Sequence, residues 1–390
     1  MKRVLALQFA VLLLAWVLPT WVRAGQLGGF ASLGVGQATY PADNNLYTGR
    51  EDLPWFSSCR LLAEAGEGPL HLTANLLEAV GARPPLSAVA VGQVGKEVQR
   101  SSVMTWEQHD SAASRAALAA DVLALQYRSS AVDVTLGRQP ISLATTFYFA
   151  PNDLFAPFAA QSFFRTYRPG VDALRADLRL APLSQLTTLA VLAYTPEADS
   201  ANGWSRSPEW SRTALLAGYN REWRGFGWSL LAGTVNDRTL AGGALQGELF
   251  DWLGVRAEGH YAVAEQDGVG EGGRFALGIE HRYVNNLDWR LEYFYNGYRD
   301  PGTTSQDRHY GALGMGYEFT PLLTGGLVAL VDFDDGSRLF SANLLYSLSD
   351  EAELALTGAV PLGRKPTGFD PGSEFGCQPR QLLLEYRVNF

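Results

Sequence analysis

The sequence predicts an all-β protein, a closed antiparallel transmembrane β-barrel of about 18 strands. Three observations lead there. Segments of about ten residues alternate apolar and polar side chains along most of the chain, as strands with two different faces must. The links between them are short after one strand direction and mostly long after the other. The last segment, "QLLLEYRVNF", carries Leu382, Leu384, Tyr386, Val388 and Phe390 on one face and Gln381, Glu385, Arg387 and Asn389 on the other, with Leu383 the exception.

The chain opens on Lys2 and Arg3, an apolar run from Val4 to Leu18, and an exit ending Val22-Arg23-Ala24. This is the order of a secretory signal peptide, so residues 1–24 are expected to be cleaved and 25–390 to form the barrel. An uncleaved anchor is the other reading, but the apolar run falls short of the roughly 20 residues a spanning helix needs. After Ala24 no apolar stretch of 18 residues recurs, although 47% of the residues are hydrophobic. Glycine is abundant, 41 of 390, and charged residues make up only 18%, which suits strands with one wet and one apolar face.

The barrel is expected to begin near Gly29–Tyr40 and to end at Phe390. Clear alternation follows Val255 to Val263, Arg274 to Arg282, Trp289 to Asn296 and Phe340 to Tyr346. Short links are expected at Ser129-Ser130, from Ala181, from Val284, from Phe319 and from Leu348. Long ones are expected near 81–115, 140–170, 196–209 and 361–378. Asn236-Asp237 and Asp335-Gly336 are short links on the long-loop side. Short turns on one side and long loops on the other are the outer-membrane pattern, with the turns in the periplasm and, for an even strand number, both termini there as well. A sheet in hydrocarbon can have no free edge, so the last strand must pair with the first.

Charge and cysteine usage exclude other classes. Loss of Lys2, Arg3 and Arg23 moves the formal net charge from −9 to −12, so nucleic acid is not an expected partner. Cys59 and Cys377 form no CxxC or CxxCH motif, so no covalent haem is expected, and whether the two pair is left open. His71, His109, His260, His281 and His309 are dispersed, and neither GxSxG nor HExxH occurs. No catalytic residue, cofactor or metal is expected. "GVGEGG" at Gly268–Gly273 matches a nucleotide-loop pattern by letter but has no βαβ setting, and "DFDDG" at Asp332–Gly336 reads as a hairpin turn.

The alternation assigns Arg175, Asp177, Arg179, Arg256, Glu258, Arg282, Arg290, Glu292, Glu385 and Arg387 to the pore lining. A set of both signs either pairs across strands and stiffens the wall or leaves a few groups to confer selectivity. The 140–170 loop is unusually aromatic, and such a loop should bury itself either in the lumen, as a constriction, or as a cap over the mouth. Phe147, Phe149, Asn152, Asp153, Phe155 and Phe158 are its expected constriction residues.

Two resemblances add to this reading. Tyr386, Val388 and Phe390 resemble the aromatic-ended last strand of outer-membrane barrels, which implies recognition by the barrel-assembly machinery. "LGRQPI" at Leu136–Ile141 followed by "APNDLFAPF" at Ala150–Phe158 is similar to a stretch in porins of the alginate-export type. That similarity implies that Arg138 stands near a pore constriction and joins the pore lining; it does not imply alginate as solute. The expected function is a passive or weakly selective channel for small hydrophilic solutes in the outer membrane, surrounded by lipid and lipopolysaccharide. A sheath for a lipoprotein or multihaem cytochrome is the alternative, and a barrel enzyme a third. A homo-oligomer or a periplasmic or surface partner stays open.

Overall fold

The computed structural model describes residues 25–41, 46–85, 99–195, 206–266, 269–298, 309–368, 370 and 372–390. The expected signal peptide, most of the 196–209 loop and residues 86–98 of the 81–115 loop therefore lie outside the described residues. Among these, the strands are β1 (Gly25–Thr39), β2 (Glu51–Asp52), β3 (Trp55–Glu67), β4 (Leu70–Ala82), β5 (Thr105–Asp110), β6 (Ser114–Arg128), β7 (Val132–Gln139), β8 (Val171–Ala181), β9 (Ser184–Val191) and β10 (Ala214–Trp223). They continue as β11 (Phe226–Val235), β12 (Arg238–Leu249), β13 (Leu253–Ala264), β14 (Gly272–Arg282), β15 (Leu287–Asn296), β16 (His309–Thr320), β17 (Leu323–Asp332), β18 (Arg338–Ser347), β19 (Ala352–Leu362) and β20 (Arg380–Asn389). Setting aside the short β2 and β5, eighteen strands form one antiparallel ring.

The ring closes between β1 and β20, from Phe30 opposite Asn389 to Thr39 opposite Arg380. The terminal residue takes part: Gly29 N–H donates to the Phe390 carbonyl at 2.8 Å, and Phe390 N–H to the Gly29 carbonyl at 2.9 Å. This register sets Leu33 against Tyr386 and Val35 against Leu384 on the outer face. Leu382 is 53% and Tyr386 42% exposed, whereas Glu385 between them is buried inside. Rows of this kind recur around the barrel, in Leu70 and Leu72, Tyr261 and Val263, and Leu344 and Tyr346. At roughly 25 cal/mol per Å² of apolar surface, a belt of this extent is stable only against hydrocarbon. The outward face is therefore a membrane face.

Eight links at one end are tight turns, among them the five read from the sequence. At Arg224-Gly225 and Phe250-Asp251 both central residues have positive φ (52° and 76°; 58° and 59°), the backbone that matches the twist of paired strands. Asn236-Asp237 makes the same kind of turn at the other end, with φ 48° and 60°. The long links at that end join β1 to β3, β4 to β6, β7 to β8, β9 to β10, β15 to β16 and β19 to β20.

One strand is too short for the wall. β7 pairs with β6 only over Leu123–Arg128, and beyond Gln139 the chain leaves the sheet. The vacated lane is filled by a segment that precedes both strands. β5 pairs with β6 from Thr105 opposite Ala119 to Asp110 opposite Arg115, and Asp172 N–H on β8 donates to the Gln99 carbonyl at 3.1 Å. Asp121, bulged out of the β4–β6 register, offers its carbonyl to Gly170 N–H at 3.1 Å.

Arg138 ties this junction together. Its Nε and Nη2 donate to Asp172 at 2.6 and 3.0 Å, its Nη1 to the Ala120 carbonyl at 3.2 Å, and its Nη2 to the Ser101 carbonyl at 2.8 Å. Its residue exposure is 0%. The expectation that Arg138 lines the pore is therefore corrected. Its register partner Leu123 is an outward residue, and the 99–104 segment encloses the guanidinium within the wall. Cys59 in β3 and Cys377 in the β19–β20 link are both free thiols.

Candidate constriction and lumen site

The loop of residues 140–170, between β7 and β8, turns into the barrel and is held there by two carboxylates of the opposite wall. Glu258 on β13 accepts the backbone N–H groups of Thr146 at 2.9 Å and Asn152 at 3.0 Å, and also that of Thr145. Glu292 on β15 accepts those of Phe147 at 2.5 Å, Tyr148 at 2.7 Å and Phe149 at 3.1 Å. Both stand near the middle of their strands, so the loop lies near mid-height. Room for the second clamp comes from Gly278 on the intervening β14, where a Cβ would lie 2.9 Å from the Glu292 Cγ. Hydrogen bonds to a charged group contribute about 1.5–3 kcal/mol each, and here they also satisfy backbone that would otherwise be buried unpaired.

Asn152 is a second fixing point. Its Nδ2 donates to the Gly243 carbonyl at 3.0 Å and its Oδ1 lies 3.0 Å from His260 Nδ1, whose Nε2 is 2.6 Å from the Tyr298 hydroxyl. Around it Ile141 and Phe155 pack on Val191, Leu216, Leu231 and Leu240 of β9–β12. Those four residues face inward, so this part of the lumen wall is apolar where the alternation rule gives a polar one. Alternation identifies two faces; it does not reveal that a loop covers part of the inner one.

Farther along, the loop reaches the remaining wall. Phe149 stacks on Phe294 at 5.2 Å, and Phe163 packs over Gly326, where a Cβ would lie 3.0 Å from its ring. Phe164 lies under Arg387 at 4.5 Å, and Tyr167 stacks on Phe30 at 4.9 Å beneath the Arg60 guanidinium. The loop also ties its own limbs together. Arg168 pairs with Asp153, donates to the Ala156 carbonyl at 2.7 Å and covers Phe158 at 4.7 Å. Arg165 donates to the Ser162 and Ala160 carbonyls at 3.0 and 2.9 Å, and to that of Phe147. Burial pushes the Asp153 carboxyl above the usual range, against the pull of Arg168.

The other lumen charges pair locally. Arg256 and Arg290 bind Glu280 at 2.7 and 3.0 Å, and Arg290 also binds Asp288 at 3.0 Å. Arg256 reaches the Thr145 carbonyl at 3.0 Å and Arg290 lies 4.6 Å from the Phe147 ring, so both touch the loop from the short-turn side. Arg175 holds Asp177 at 2.7 Å, Arg179 pairs with Asp133, and Arg387 bridges Glu353 at 2.7 Å and Glu385 at 3.0 Å. Arg282 stands apart at the rim, 3.8 Å from Glu318. Sequence reasoning missed the clamping role of Glu258 and Glu292 and the staples Arg165 and Arg168, because nothing local links residue 145 to residue 258. Among the described residues, no cluster of His, Cys, Asp and Glu could hold a metal ion. On the short-turn side of the loop the lumen keeps cavities of about 820, 650 and 500 Å³.

No protein-family model matches the chain, and no curated protein matches it significantly. Solved structures do. A BenF-like porin from Pseudomonas fluorescens Pf-5 superposes with a TM-score of 0.60 at 11% identity, covering 95% of this chain and 99% of that one. The fold is that of the outer-membrane porins. OccK2 (OpdF) of Pseudomonas aeruginosa matches with a TM-score of 0.60 at 13% identity, over 95% and 99% of the two chains. OccAB1 of Acinetobacter baumannii matches at 0.58 and 10%, over 95% and 97%. At such low identity the porin fold is the shared property.

The loop's fit is testable at Gly314 on β16. A Cβ there would fall 1.5 Å from the Tyr148 hydroxyl oxygen, so Gly314→Ala must displace that ring. The expected result is an altered single-channel conductance for Gly314→Ala, and no further change when Gly314→Ala is added to Tyr148→Ala.

Proposed function

We propose that the protein is an outer-membrane channel through which small hydrophilic solutes pass passively or with weak selectivity. The observation that carries this reading is the clamped loop with open cavities beneath it. An apolar belt faces lipid, and within it the wet path is narrowed at mid-height. The short turns then lie in the periplasm and the long links at the cell surface, with residues 1–24 as the export signal and Tyr386, Val388 and Phe390 as the assembly signal. Arg256, Arg290, Arg175, Asp177, Arg179, Glu385, Arg387 and Arg282 serve as charged lining, largely neutralised in pairs. Phe147, Phe149, Asn152, Asp153, Phe155 and Phe158 belong to the constriction, clamped by Glu258 and Glu292.

The rival readings lose support. The 140–170 loop occupies the mid-lumen that a sheathed lipoprotein or cytochrome would need. His260 is buried, its ring nitrogens held by Asn152 and Tyr298 beneath the loop, which keeps the imidazole away from a solute in the lumen. Refolded protein in a planar bilayer is expected to give steady KCl conductance without any partner. Silence in correctly folded protein overturns the channel reading.

A further inference from the structure

The cavity of about 820 Å³ differs in chemistry from the rest of the lumen. Its wall is a lateral row of neutral polar side chains on consecutive strands: Gln185 on β9 pairs in register with Asn220 on β10, and Asn220 with Ser229 on β11. Gln246 on β12 stands one step nearer the short-turn end, opposite Gly227. Asn220, Ser229 and Gln246 make no side-chain hydrogen bond to any described residue and face the cavity, so their donors and acceptors are free for a solute. The roof is the loop around Ser142 and Thr145, and Leu189 and Leu231, largely covered by that loop, line the inner end.

Charge contributes little inside the cavity. Arg175 is held by Asp177 at 2.7 Å and Arg179 by Asp133, while Glu222 stands at the mouth and Arg221, in register with the outward Trp228, belongs to the other face. Below that mouth no unbalanced sign faces the cavity, so an ion gets no return there for its lost hydration. Free amides and hydroxyls beside apolar carbon suit a molecule with many hydroxyls and exposed C–H faces, and the volume falls within the range of small-molecule sites.

We infer that this cavity is a subsite for neutral polyhydroxyl solutes, sugars or polyols up to disaccharide size. The inference rests on the channel reading and narrows its solute class.

The test uses the full chain in planar bilayers, with KCl current recorded while maltose, gluconate or glucosamine is added on the short-turn side. Maltose is expected to reduce the current saturably and at lower concentration than either charged compound. Asn220→Leu and, separately, Gln246→Leu are each expected to raise the half-blocking maltose concentration about tenfold, read against each variant's own open current. A conducting protein that maltose does not block saturably, that gluconate or glucosamine blocks better, or whose variants both retain the wild-type maltose response overturns the sugar assignment alone. Absence of KCl current overturns the channel reading, and the sugar assignment with it.

Discussion

Glu258→Ala combined with Glu292→Ala is expected to raise single-channel conductance several-fold. The two carboxylates receive six backbone N–H groups from the 140–170 loop, and these bonds hold its first half against the far wall. Both side chains project into the lumen, so their loss removes no strand pairing and the barrel should still form. The freed amides gain water instead of remaining orphaned, so little of the ~1–3 kcal/mol cost of an unsatisfied buried group falls on the barrel itself. Each single variant should give a smaller and noisier increase, since one clamp remains. The measurement is conductance with current noise in planar bilayers. An unchanged double variant would mean that Asn152 and the aromatic contacts suffice to hold the loop.

Arg138→Ala is expected to weaken the folded barrel by about 3–5 kcal/mol, because it leaves Asp172 buried without its cation. Ser101 and Ala120 lose their guanidinium contacts at the same time. The effect should appear as a lower temperature for the shift from compact to unfolded mobility in detergent gels. Arg282→Ala is the control: its pair with Glu318 spans 3.8 Å at side-chain exposures of 67% and 36%, where about 0–1 kcal/mol is expected. Equal shifts for the two variants would count against the enclosed junction. Asp172→Asn should fall between them, since it keeps an acceptor for Arg138 and removes only the charge.

The wall was legible in the sequence because its signal is local. Period-two alternation is written into each ten-residue segment, and Leu382, Leu384 and Tyr386 could be assigned to lipid without knowing their neighbours. Burial of the aromatic loop followed from the same logic, since Phe147, Phe149 and Phe155 had to be covered somewhere, but the alternation did not decide between the lumen and a cap over the mouth. What holds the loop was not legible: Glu258 and Glu292 look like any other lumen charges until the chain brings residues more than a hundred positions apart together. Arg138 was misplaced for a related reason. Its lane in the wall is completed by residues 99–110, and no pattern near Leu136–Ile141 announces that. The apolar row of Val191, Leu216, Leu231 and Leu240 likewise defied the rule of a wet inner face because the loop covers it.

The far end of the loop bears on the order of assembly. Tyr167 meets Phe30 of the first strand, and Phe164 meets Arg387 of the last, so the two aromatics straddle the seam where the ring is sealed. Before β20 has joined β1, half of that docking surface does not exist. The narrowing of the passage on this side therefore completes only after the final strand is in place, and a nascent, unsealed cylinder would be wider than the finished one.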